Sequence, residues 1–401
     1  MKVLVADKFE EAGVSGLKGL GCEVFYEPKL EGGSLGRRLA ETGANVLVVR
    51  STKVTAAEME GAMGLSLIVR AGAGVNTIDL KTASARAIAV SNCPGKNSIA
   101  VAELTWGLIL ALDRRIPEQT ADLKAGVWNK SEYGKAKGLA GRTLGVVGLG
   151  SIGREVVLRA RAFGMPVIAW SRSLDGAQAA ALGVGRAGSV HSLAQEADVV
   201  TVHLALTKET RGLFDGAFFG AMKPGALFVN TSRGELVEQA ALAAALAEKG
   251  IRAALDVFEK EPPGGTGAFE DPIGRLPGVI GTHHVGASTE QAQNAIAAET
   301  VRIVRSYKTT GGVPNAVNLS QRTPATHLLS VRHFDRVGVL AHVFGELRSA
   351  GINVEQTDNV VFEGAEAACA RIQLDKEPGA AVLERIRQGS ADIISVSLSS
   401  I

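Results

Sequence analysis

Arg142-Thr143-Leu144-Gly145-Val146-Val147-Gly148-Leu149-Gly150-Ser151-Ile152-Gly153 runs an apolar stretch straight into three glycines. Arg154 to Phe163 then continues with helix-forming composition. Strand, tight turn and helix in that order make a phosphate cradle. Gly148 permits the turn, Gly150 lets a pyrophosphate approach, and Gly153 allows the helix to pack on the strand. Backbone N–H groups at the helix start, around Ser151 and Ile152, then face the phosphates. The glycine spacing alone is a weak signal, but these flanks make it a dinucleotide site.

The stretch lies mid-chain, so something independent precedes it. Apolar runs of strand length recur on both sides of it, at Val46–Val49, Leu67–Val69, Val167–Trp170 and Val199–Val202, separated by helical segments. Continuous apolar strands alternating with helices predict an α/β fold of parallel sheets covered on both faces. At 401 residues the chain exceeds one core, and two or three domains are expected. Net charge is +2 with both signs interspersed, which argues against a nucleic-acid or membrane surface. The N-terminus, Met1 to Asp7, reads as a first strand rather than a signal peptide. Cys22, Cys93 and Cys369 are far apart and lack metal-ligand spacing, so they are expected to be reduced core thiols in a cytoplasmic protein with no metal site.

Ser98 to about Leu112 is helix-forming and apolar nearly all round, with Ser98 as its expected N-cap, which predicts burial between domains or subunits. A second helix over about Thr289–Tyr307 would carry the chain back to the first domain. Lys308 to Pro314 opens a linker. Beyond it, Thr326–Ile401 reads strand, helix, strand, strand, helix, strand, with its first helix near Val337–Ala350.

Three further signatures carry chemistry: Thr231-Ser232-Arg233-Gly234, Asp256 to Pro262, and His283 to Thr289. An arginine fork can bind a carboxylate and polarise the neighbouring oxygen, and an imidazole can move a proton near neutral pH. A carboxylate can fix the tautomer of that imidazole. With the glycine fingerprint, these signatures resemble the D-isomer-specific 2-hydroxyacid dehydrogenases, in that family's order and over nearly the whole chain.

The resemblance implies a Rossmann-type nucleotide-binding domain (98–285) inserted in a flavodoxin-like, discontinuous substrate domain (1–97 and 286–315). A C-terminal ferredoxin-like (ACT) domain over 326–401 is implied by Asp335-Arg336-Val337-Gly338 and Gly351-Ile352-Asn353-Val354. It implies His284 as proton carrier, Glu261 as its partner and Arg233 as the substrate's cation, with His283 and Glu259 as neighbouring decoys. Thr231, Ser232, Asp256 and Gly286 join the cofactor side, Asp256 binding the nicotinamide carboxamide or else being structural.

On the substrate side the resemblance implies the loop Gly72-Ala73-Gly74 and Asn97, with Arg50 and Arg70 for a phosphate. That favours the branch oxidising 3-phosphoglycerate over glyoxylate or hydroxypyruvate reductases and over a non-catalytic nucleotide sensor. The cofactor implied is NAD. Ser171-Arg172, where a carboxylate usually ends the second strand, leaves NADP possible. The partners implied are the small-molecule substrate and a second copy of the chain, as a homodimer or homotetramer. His333, Asp335 and Asn353 align with an amino-acid effector site, in which Asp335 in place of asparagine would repel a ligand carboxylate.

Overall fold

The computed structural model describes residues 1–262, 266–320 and 323–401, as two compact units, Met1–Asn318 and Leu319–Ile401. The first unit opens with five short strands, β1 (Lys2–Val5), β2 (Glu23–Tyr26), β3 (Val46–Val49), β4 (Leu67–Arg70) and β5 (Ala89–Asn92). They form one parallel sheet in the order β2-β1-β3-β4-β5, the flavodoxin-like winding. Period-two alternation divides the strand residues between two cores. Val3, Val5, Val46 and Val48 face one way and meet Leu17, Ile296, Ile303 and Val304. Leu4, Leu47, Val49 and Ile68 face the other way and meet Leu35, Leu39 and Met59.

Ile296, Ile303 and Val304 belong to the helix Glu290–Thr310, which returns late in the chain to cover the first sheet. Thr289 caps it, its hydroxyl accepting from the Ala292 N–H at 3.2 Å. The following segment stays on the same sheet, where the Ser91 hydroxyl donates to the Pro314 carbonyl at 2.6 Å and Asn318 accepts the Val90 N–H at 2.7 Å.

Between these passages lie β6 (Leu144–Val147), β7 (Val167–Trp170), β8 (Gly185–Arg186), β9 (Val199–Val202), β10 (Leu227–Asn230), β11 (Arg252–Leu255) and β12 (Val279–Gly281). They form a second parallel sheet in the order β12-β11-β10-β9-β6-β7-β8. The order reverses beside β6, whose neighbours are β9 and β7, and a ligand crevice is expected at that switch point. The helix after Asn97 spans Ser98–Arg114 with Asn97, not Ser98, at its N-cap. Its apolar residues Ala102, Trp106, Ile109 and Leu112 bury within the second sheet's own core, against Val146, Val156 and Val229. The Trp106 ring stacks on Phe163 at 4.4 Å. Packing against the second sheet accounts for these buried residues, while Ile99 on the same helix is exposed.

The second unit pairs β13 (His327–Phe334), β14 (Val354–Val361), β15 (Ala367–Leu374) and β16 (Ile393–Ser400) antiparallel, in the order β14-β15-β13-β16. Its helices Val339–Ser349 and Ala380–Gln388 bury Val343, Leu347 and Ile386 against Leu329, Val331, Ala370 and Ile372. This is the expected strand, helix, strand, strand, helix, strand order. Cys22 and Cys93 are buried, whereas Cys369, on β15, is only half-buried and is not a core thiol. Among the described residues no helix is long and apolar enough to cross a membrane.

Candidate active site

The glycine turn has the shape its sequence requires. Gly148 sits at φ +100°, and a Cβ there would lie 2.3 Å from the His203 carbonyl oxygen. A Cβ on Gly153 would lie 2.0 Å from the Gly148 oxygen, so helix and turn touch backbone to backbone. Gly150 faces open space at the N-cap of the helix Ser151–Ala162, leaving its N–H groups accessible to an anion. These features fit a dinucleotide pyrophosphate. Ser171 and Arg172 follow β7 without a carboxylate between them, and Arg172 is exposed. The Glu209 carboxyl is held below its ordinary value by a hydrogen bond with Thr207, its own backbone N–H and the charge of Arg172.

Arg233, Glu261 and His284 follow three strand ends of the same sheet. Past β10, Asn230 ties the turn that carries Arg233: its Oδ1 accepts the Ser232 N–H at 3.0 Å and its Nδ2 donates to the Arg233 carbonyl at 2.8 Å. Ser232 donates to the Val202 carbonyl at 2.7 Å, and the Thr231 hydroxyl meets that of Thr105 at 3.1 Å. A Cβ on Gly234 would lie 2.1 Å from the Phe258 carbonyl carbon, so the arginine turn presses directly on the segment after β11. That segment folds back on itself, Glu261 Oε1 accepting the Phe258 N–H at 3.0 Å. Glu261 Oε2 lies 2.8 Å from His284 Nδ1, and among the described residues Nε2 has no hydrogen-bond partner.

Burial pushes the Glu261 carboxyl up, but the His284 and Phe258 hydrogen bonds and the charges of His284 and Arg233 outweigh it and hold the group below its ordinary value. Arg233, Glu261 and His284 therefore share one site. His284 stands at φ +52°, a left-handed conformation costing a non-glycine residue about 1–2 kcal/mol. Asp256 is 1% exposed and accepts the N–H groups of Val285 and Gly286 at 2.9 and 3.0 Å, beneath that turn.

The loop after β4 meets the same site. Gly72 stands at φ +153°, and a Cβ there would lie 1.5 Å from Arg70 Nη1. A Cβ on Gly74 would lie 2.5 Å from Arg233 Nη2. The two bare glycines thus let two guanidiniums lie against the loop. Burial, together with the charges of Arg233 and Arg50, pushes Arg70 down to about 10. Arg70 Nε is buried without a partner among the described residues.

Two residues not singled out from sequence hold this loop cluster. Asp7 Oδ2 accepts the N–H groups of Arg50, Ser51 and Thr52 at 2.5, 3.0 and 3.0 Å. Asn92 donates to the Ala73 carbonyl at 2.5 Å. Asn97 lies in the nearby turn, where Lys96 pairs with Glu299 at 3.5 Å and Gly95 approaches Ser151. His203 also escaped the sequence reading. Burial drives it down to about 3, so it is neutral, and its Nε2 meets the Thr201 hydroxyl at 3.0 Å.

The effector trio is not brought together within one chain. The His333 ring is engaged with the Phe334 carbonyl at 2.7 Å and Asn359 at 3.2 Å, with Asp335 just past the end of β13. Asn353 bonds Glu355 at the far end of the sheet, since β14 begins opposite Leu374 and Leu374 lies opposite His327.

Residues 106–286 match the model of the D-isomer specific 2-hydroxyacid dehydrogenase, NAD binding domain. A D-3-phosphoglycerate dehydrogenase of Methanocaldococcus jannaschii is 38% identical over 379 residues, which is 93% of this chain and 67% of that one. The chain belongs to the D-isomer-specific 2-hydroxyacid dehydrogenases. A hydroxypyruvate reductase of Thermotoga maritima is 40% identical over 64% of this chain and 82% of its own length. An NAD⁺-bound 3-phosphoglycerate dehydrogenase of Entamoeba histolytica superposes with a TM-score of 0.66 at 25% identity, covering 80% of this chain and 99% of that one. The chain spans 67, 60 and 68% of the length of three curated phosphoglycerate dehydrogenases that it matches, those of M. jannaschii, Archaeoglobus fulgidus and Mycobacterium bovis. The sheet around the glycine turn is accordingly this family's NAD-binding domain.

Proposed function

We propose that the chain is a D-3-phosphoglycerate dehydrogenase, oxidising 3-phosphoglycerate to 3-phosphohydroxypyruvate in the cytosol for serine synthesis. The observation that carries this reading is the cation cluster Arg50, Arg70 and Arg233 around the Gly72–Gly74 loop, beside the His284–Glu261 pair. One guanidinium suffices for a 2-hydroxy acid's carboxylate. Two more, one with a buried and unpartnered Nε, suit a phosphate dianion.

In this reading the Arg233 fork holds the substrate carboxylate and polarises the C2 oxygen. Backbone N–H groups of Ala73 and Gly74 face the same anion, the Gly72 N–H being taken by the Arg70 carbonyl at 2.8 Å, and Asn97 borders the substrate from the turn beside it. His284 Nε2 takes the C2 hydroxyl proton, while Glu261 at Nδ1 fixes the tautomer and stabilises the imidazolium. Bound NAD, held over Gly148–Gly153, Thr231 and Ser232, supplies the hydride acceptor. We assign Arg50 and Arg70 to the phosphate, with Asp7 fixing the backbone that carries Arg50.

The chain is expected to assemble as a homodimer or homotetramer. The C-terminal unit would act in assembly or as a sensor. Because His333 and Asn353 lie at opposite ends of its sheet, an amino-acid effector contacting both would have to lie between two copies.

Turnover with 3-phosphohydroxypyruvate set against glyoxylate and hydroxypyruvate tests the assignment. Arg50→Ala and Arg70→Ala should each raise KM for the phosphorylated substrate about tenfold or more, the worth of a charged hydrogen bond, and change it little for an unphosphorylated one. Equal effects on both would overturn the phosphate reading. A hydroxypyruvate reductase is the second reading, favoured by Ser171-Arg172 and the T. maritima relative, and it predicts the opposite substrate preference.

A further inference from the structure

Asp256 follows β11 with a nearly inaccessible carboxylate that makes no ion pair among the described residues. Its charge is answered entirely by the segment 282–286. The Thr282 hydroxyl donates to Oδ1 at 2.5 Å, the Val285 N–H to Oδ1 at 2.9 Å and the Gly286 N–H to Oδ2 at 3.0 Å. Backbone bonds complete the wrap: the His284 N–H reaches the Asp256 carbonyl at 2.8 Å and the Thr282 N–H reaches that of Leu255 at 3.0 Å. A Cβ on Gly286 would lie 3.1 Å from Oδ2, so the approach is already tight. Inside this wrap stands His284, the one residue of the segment at positive φ.

We propose that Thr282 and Asp256 form a clasp that holds the His284 turn left-handed and aims the imidazole at Glu261 on one side and the substrate on the other. Thr282 is then a positioning residue for the proton transfer. Its hydroxyl is the only side-chain donor in the clasp. Without it Oδ1 keeps a single donor, and the carboxylate can turn away from the Val285 and Gly286 N–H groups. The imidazole would keep its chemistry and lose its aim. The inference rests on His284 as the proton carrier.

Thr282→Val keeps the shape and deletes the donor. In that variant kcat, measured on whichever 2-oxo acid the unmodified enzyme reduces fastest, should fall about tenfold or more, while the NADH dissociation constant from fluorescence titration changes less than about twofold. Thr282→Ser should restore kcat. Amide exchange over 283–286, followed by mass spectrometry, should quicken in the valine variant and not in the serine variant. A valine variant with unchanged kcat and exchange overturns the clasp, as does a serine variant as impaired as the valine one. The exchange arm needs no substrate. A chain that prefers an unphosphorylated acid would refute the substrate assignment and leave the clasp to be decided by exchange.

Discussion

Gly74→Ala offers the sharpest test of how the Gly72–Gly74 loop and Arg233 share space, and so of the proposed role of Arg233 in holding the substrate carboxylate. The added Cβ would lie 2.5 Å from Arg233 Nη2 and 3.1 Å from Asn76 Oδ1. Carbon and nitrogen settle near 3.5 Å, so the guanidinium must yield by roughly 1 Å. Because that atom is the tip of a flexible side chain and Gly74 does not stand at positive φ, the fold itself should lose under about 1 kcal/mol. The site should lose far more. Displacing one charged hydrogen bond removes about 1.5–3 kcal/mol, or roughly ten- to 150-fold in kcat/KM.

The loss should appear in the reduction of 3-phosphohydroxypyruvate followed by NADH absorbance. It should be equal for an unphosphorylated 2-oxo acid, since Arg233 reads the carboxylate that both carry. NADH affinity and the melting temperature should hold. A kcat/KM within about twofold of the unmodified enzyme would show that Arg233 reaches its substrate by a path that avoids the loop. Gly72→Ala would be a poorer probe, because φ +153° strains any other residue and confounds folding with function.

Glu261→Gln should lower kcat by about ten- to hundredfold and move the acidic limb of the oxidation profile to lower pH, since the carboxylate that favours the imidazolium is gone; an unchanged profile removes Glu261 from the mechanism. In the unmodified enzyme, the depressed Glu261 carboxyl contributes stability that is present above its unfolded value of about 4.3 and lost as pH falls through its folded value, a loss that acid titration of the two proteins should resolve. With no carboxylate at Ser171, NADPH should be used within about a hundredfold of NADH, a gap of under roughly 3 kcal/mol, and Ser171→Asp should widen it; strict NADH preference in the unmodified enzyme refutes this.

What the sequence displayed and what it hid divide along physical lines. Val46–Val49 and Val199–Val202 read as strands because a parallel strand buried on both faces needs an unbroken apolar run, a property local to four residues. The glycine turn was equally legible, because Gly148 and Gly153 exist to avoid clashes with backbone close by in sequence or structure. Arg233, Glu261 and His284 stood out through the motifs around them. Asp7 and Asn92 did not, because each satisfies the backbone of a loop reached only through the fold; Asp7 bonds Arg50 from 43 residues away. Asn230 directly precedes the Thr231–Gly234 motif, yet its task is set by the return path of the turn it ties.

The effector residues stand on different ground. His333 and Asn353 align by position with a ligand site, but alignment carries no statement of distance. In an antiparallel sheet, residues near in sequence order can stand at opposite ends of neighbouring strands. Arg233, Glu261 and His284 escape this problem through the parallel winding of the second sheet. Every strand there delivers its carboxyl end to the same edge, so Arg233 after β10, Glu261 after β11 and His284 after β12 must converge whatever the loops between them do. Motif order along a parallel sheet is therefore already a statement about space. In the C-terminal unit the antiparallel order makes no such promise: within one chain His333 is engaged by Asn359, while Asn353 lies at the other end of the sheet.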